Sequence, residues 1–312
     1  MAANDDLPEH SRSGIGFLFG ALQADAIPGP VLVEVMATLG FAEPTTRQLL
    51  ARMLRQGHLT RRRVGRVSVY RLDGDYLERW SRLRYGDVPL NWTGTFHALV
   101  HDIPERLRVR RERLLGAAAR AGFGQVRPGL LIGLAEPNFV DQWMGGDASD
   151  APLIEKGTLR LDPDAARRMS ATAWSLPARA ADLRRASADL ERLIDRVDQA
   201  ATEGTAALQL MFEAGTIAGS PRYSVPALPA ELLPADWPAP AVQELLHTAI
   251  GRLTPAVGEY LYHRLSASPH AGLIEGGWWP PIAVDAFSPG TPPDHSARRA
   301  PREPLTDRVV RT

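Results

Sequence analysis

The 312-residue chain has no cysteine, which excludes disulfides and thiolate metal sites. It has almost no lysine either: Lys156 stands alone, so 36 − 1 = 35 of its basic residues are arginine. No uninterrupted apolar stretch approaches about 18 residues, so no membrane-spanning helix is expected. The opening MAANDDLPEHSRSG is polar and acidic. It lacks the basic flank and apolar run of a secretory signal, which makes the cytoplasm the expected location. Net charge is absent as well, with 36 basic against 36 acidic residues. What is present is an ordinary globular balance, 44% hydrophobic and 23% charged, enough for about two or three domains.

The charge is unevenly placed. Residues 45–72, TTRQLLARMLRQGHLTRRRVGRVSVYRL, hold eight arginines and no acidic residue, which leaves 28 − 36 = −8 for the rest of the chain. Before this stretch, GIGFLFGALQA (14–24) and VLVEVMATLGF (31–41) read as two apolar helices separated by the breaker IPGP. Pro44 suits the first turn of a third helix ending at Gly57. At about 100° per residue from Thr45, Leu49, Met53, Leu50 and Leu54 fall on one arc, and Arg47, Ala51, Arg55, Gln48 and Arg52 on the other. HLTRRRVGRVSVYRL then reads as two short strands around a turn at Val64-Gly65-Arg66. Three helices followed by a basic hairpin is the plan of a winged helix-turn-helix. In that plan the third helix enters the major groove and the hairpin follows the backbone. Thr45, Arg47, Gln48, Arg52 and Arg55 are the side chains suited to reading base edges. Arg61, Arg62, Arg63 and Arg66 are suited to neutralising phosphates.

Further along, residues 75–88 read as a connecting helix. The order from Thr95 to Leu161 is β-α-β-β-α-β, with the second helix at 137–144, which is ferredoxin-like. Residues 162–201 are helical with a break at Leu176-Pro177. A helix near 204–214, a proline-rich crossing (224–240) and a helix over 242–265 follow. After Phe287 the composition is poor in apolar residues and is expected to be disordered. The expected class is α+β. The division is a DNA-binding domain with its connecting helix (1–88), a ferredoxin-like middle domain (89–162), a helical C-terminal effector and dimerisation domain (163–286) and a tail (287–312).

Five segments then show a resemblance. These are FLFGAL with the basic stretch and its R-x-x-x-x-R-M, NWTGTFHALVHDIPE, AGFGQVRPGLLIG, AWSLPARAADLRR and LPAELLPADWPAPAVQELL. In order and spacing they resemble the PaaX family of phenylacetate-catabolism regulators from about residue 12 to 268. Phe96 stands where that family usually has tryptophan, and Ala42 where it often has serine. The resemblance implies a homodimeric transcriptional repressor that binds an operator in double-stranded DNA. It implies no catalytic or metal site and no cofactor, and a small effector of the acyl-CoA class such as phenylacetyl-CoA. The middle domain also resembles the CRISPR spacer-acquisition nucleases, where an aspartate placed like Asp102 binds metal, so a metal-dependent nuclease is the alternative. His97 and His101 are no pair for one metal, because four residues of strand span about 13 Å. A protein-interaction module binding an acidic partner is a third reading.

Overall fold

The computed structural model describes residues 9–85, 90–143, 153–199, 204–223 and 225–276. Among the described residues it is a mixed α/β protein with two antiparallel sheets. The chain divides into two compact units. One comprises Met1–Gly86, Ala186–Ser220 and Ala241–Thr312, and the other Asp87–Arg185 and Pro221–Pro240. The expected tail and the C-terminal end of the connecting helix lie outside the described residues.

The first unit opens with α1 (Glu9–Ala21), β1 (Ile27–Pro28), α2 (Gly29–Thr38) and α3 (Glu43–Arg55). β2 (Leu59–Val64), β3 (Val67–Leu72) and α4 (Gly74–Tyr85) follow. Pro44 lies in the first turn of α3, and Ala42 caps it without a side-chain hydrogen bond. Thr46 in its first turn donates its hydroxyl to the Ala42 carbonyl at 3.2 Å. Gly57, at φ +72°, ends the helix as only a residue without Cβ does at low cost. The core joins Leu18, Phe19, Leu32, Met36, Leu49 and Met53 to later helices. These supply Leu208 and Met211 from α8 (Gly204–Tyr223) and Leu253 and Leu261 from α9 (Ala239–Ser266). α4 is tied down by Trp80, which donates Nε1–H to the Gly16 carbonyl at 2.7 Å.

The IPGP breaker has a second role that the sequence did not indicate. Ile27 and Pro28 pair antiparallel with Tyr70 and Val69, which adds β1 to the hairpin in the order β1-β3-β2. Proline is tolerated there because β1 lies at the edge of the three-stranded sheet, where its missing N–H interrupts no inner ladder.

The second unit carries β4 (Thr95–Asp102), α5 (Arg108–Arg120), β5 (Gly124–Arg127), β6 (Leu130–Gly133) and β7 (Leu153–Arg160). α6 (Pro163–Ala173) and the start of α7 (Leu176–Gln199) complete it. The sheet order is β5-β6-β4-β7. Alternation along β4 serves two cores. Leu99 packs with Leu114 and Ala118 of α5, while Phe96 packs with Ala166, Trp174 and Leu176. The segment expected as the second helix is a 3-10 turn, Asn138–Trp143. The break in the long helical stretch falls at Ser175, whose φ is +51°, and Pro177 sits in the first turn of α7. Residues 163–286, expected as one helical domain, divide their packing. Ala166, Trp174 and Leu176 join the four-stranded sheet, whereas α8 and α9 join the core beneath α3.

Candidate nucleic-acid interface

α3 turns one side toward its core and the other toward solvent. Thr46, Leu49, Leu50 and Met53 are buried, and Arg47, Gln48, Ala51 and Arg55 are exposed, with Thr45 half-buried between them. Arg47 donates Nε–H to Glu43 one turn back at 2.7 Å, an exposed pair that screening leaves weak. Arg52 is a correction to the sequence reading. Only 7% of it is exposed, so it is packed into the unit and is not on the solvent face. At about 100° per residue it lies about 60° from Leu49, at the edge of the apolar arc, and its guanidinium Nε and Nη2 are themselves buried.

The hairpin turns at Gly65 and Arg66, with Gly65 at φ +58° as a two-residue turn requires. Its register sorts the arginines between two faces. Arg61 pairs with Tyr70 and Arg63 with Ser68 on one face. Arg62 pairs with Val69, and Thr60 with Arg71, on the other. Arg62 and Arg71 are thus diagonal neighbours on one face, within reach of a single carboxylate. That carboxylate is Glu275, which forms ion pairs with both. Among the described residues no acidic side chain pairs with Arg55, Arg61, Arg63 or Arg66, and all four are exposed. They form an electropositive surface on α3 and the hairpin tip, with Gln48 and Thr45 as neutral donors and acceptors beside them.

Glu275 is the functional candidate that sequence reasoning missed. It lies 204 residues from Arg71, and no local pattern marks it.

The middle-unit residues are placed differently. His97 and His101 alternate on β4 toward the α5 side, and Asp102 is exposed at the strand end opposite Leu153. Among the described residues no group of three or more His, Asp or Glu side chains is arranged to hold a metal. His101 is buried, and neither ring nitrogen has a hydrogen-bond partner among the described residues. Burial holds its pKa below the usual histidine value. Arg111 adds to that depression and Asp102 opposes it. Among the described residues no helix is long and apolar enough to cross a membrane.

A search of curated proteins finds no match. Among solved structures the chain is similar to an uncharacterized protein, Rv0674 from Mycobacterium tuberculosis. Identity is 24% over 79% of this chain and 96% of that one, at a TM-score of 0.44. A family model described as PaaX-like protein matches residues 11–75, the segment that contains α3, the hairpin and the exposed arginines. Over those residues the chain is similar to the PaaX-like family.

Proposed function

We propose that the protein is a transcriptional regulator that binds double-stranded DNA through α3 and the β2–β3 hairpin. The observation that carries this reading is the set of exposed arginines Arg55, Arg61, Arg63 and Arg66, which have no acidic partner among the described residues, beside the polar face of a helix. The element order, three helices and then a hairpin, supports a winged helix-turn-helix over the segment that the family match covers. Ala51, at the centre of the exposed face, lets α3 approach closely. Gln48 suits an adenine edge, Arg55 and Arg47 suit guanine, and Thr45 suits either. Arg47 would exchange Glu43 for a base or phosphate. Arg61, Arg63 and Arg66 are the phosphate anchors. Arg62 joins them only when it leaves Glu275, and Arg52 acts through packing.

The sheet order β5-β6-β4-β7 and the intervening α5 support a ferredoxin-like middle domain with its second helix shortened. Homodimerisation, repression and release by an acyl-CoA-class effector belong to this reading through the family likeness. The test is a fluorescence-anisotropy titration of the full chain with its own upstream region and a scrambled duplex at about 0.15 M salt. The titration is repeated with phenylacetyl-CoA. Preference for the native region supports a sequence-specific regulator, and loss of that complex on adding the thioester supports the effector class. Equal, weak binding to both duplexes refutes specific recognition.

A further inference from the structure

We propose that Glu275 is a built-in latch that holds part of the hairpin's positive charge away from DNA. The proposal rests on the DNA-binding reading above and concerns how that same surface is regulated. Its basis is a docked segment. The 3-10 turn Ala271–Leu273 that follows α9 leads into residues 274–276, which run beside the β1 edge of the hairpin sheet. The Glu275 carbonyl accepts from the amides of Asp25 at 2.8 Å and Ala26 at 3.1 Å. The Glu275 amide donates to the Ala26 carbonyl at 3.0 Å. This backbone bridge aims the carboxylate at the hairpin face that carries Arg62 and Arg71, and it pairs with both.

A phosphate and this carboxylate are alternative partners for the same guanidinium groups. Arginine engages either by the same planar, bidentate geometry. The existing pairs are partly exposed, Arg62 at 39%, Arg71 at 41% and Glu275 at 27%, so the latch is weak enough for a polyanion to displace. The docked segment is held by a single isolated bridge rather than a full strand, with Ile274 beside it packed against the core. The consequence is that the free protein presents fewer phosphate contacts than its arginine count suggests. Any event that undocks residues 274–276 from the β1 edge then strengthens DNA binding regardless of sequence.

Two full-length variants test this by different routes. Glu275→Gln removes the charge and keeps the size. Gly276→Ala keeps the carboxylate but opposes the docked backbone. Gly276 has φ +71°, and an added Cβ would lie 2.6 Å from the Asp25 carboxylate oxygen. Both variants are expected to bind native and scrambled duplexes about fivefold more tightly, the size of an ordinary exposed ion pair. The salt dependence should steepen by about one counterion for each arginine released. Wild-type affinity in both variants, with Arg63→Ala still weakening binding, overturns the latch and leaves the DNA reading intact. Tightening by Glu275→Gln alone also overturns it, since loss of a repelling charge then suffices without undocking. No DNA binding by any of these proteins overturns both. Thermal melts of each variant confirm folding, and if Glu275→Gln does not fold, Gly276→Ala decides.

Discussion

Replacing Arg61, Arg63 and Arg66 together by alanine tests the hairpin as a phosphate anchor, and its size can be worked out. All three are exposed and none is paired with an acidic group among the described residues, so each can displace a counterion from DNA. Each phosphate neutralised contributes about −0.9 to the slope of log K against log salt. Three contacts therefore account for about 2.7 of that slope. Between about 0.05 M and 0.2 M salt, a span of about 0.6 in log units, the wild-type advantage over the triple variant should shrink about 40-fold. Anisotropy titrations of both proteins at several salt concentrations give the two slopes. The Arg62→Ala slope should move less, because Glu275 already neutralises Arg62. Parallel slopes for wild type and triple variant would refute the assignment of these arginines to phosphates.

Arg52→Ala should lower stability by about 1–3 kcal/mol, read by denaturant unfolding, while leaving relative affinities among DNA sequences unchanged. A changed preference with unchanged stability would return Arg52 to the reading face. His101 makes stability depend on pH. Burial keeps its folded pKa low, whereas in the unfolded chain it titrates near about 6.5. Below that pH the unfolded chain takes up a proton that the folded protein does not. His101 therefore withdraws stability as pH falls through about 6.5 and has no such effect above it. His101→Leu should flatten thermal stability between about pH 7.5 and 5.5, and an unaltered pH profile counts against the argument. Gly124→Ala should cost at least about 1–3 kcal/mol, because its Cβ would lie 2.5 Å from the fixed Ala173 carbonyl oxygen. Gly157→Ala, which meets nothing within 4 Å, is the control that should melt near the wild type.

The sequence made the first unit legible where local rules dominate. The apolar arc of α3 followed from a 3.6-residue period, and Leu49, Leu50 and Met53 are indeed buried. The hairpin followed from β-branched residues around Val-Gly-Arg. The same wheel misplaced Arg52, because it records direction and not the reach of a long side chain at the edge of the arc. β1 was hidden because two residues have no period, and proline argues against a strand unless the edge position is known. Ser175 displaced the expected helix break by accepting a positive φ, which no pattern announces. The division of residues 163–286 between two cores, and the clamp of Glu275 on Arg62 and Arg71, are long-range facts. They depend on which elements meet in space, and local periodicity carries no record of that.

In the proposed function α3 reads sequence while the hairpin holds the backbone. The most direct measurement is selection of bound fragments from sheared genomic DNA by the full-length protein, run in parallel with Gln48→Ala. The expected result is a short motif enriched by the wild type, bound about a thousandfold or more above bulk DNA. Gln48→Ala should lose discrimination at one position of that motif while keeping its salt dependence. Enrichment of no motif, or an identical motif for both proteins, would contradict the proposed function.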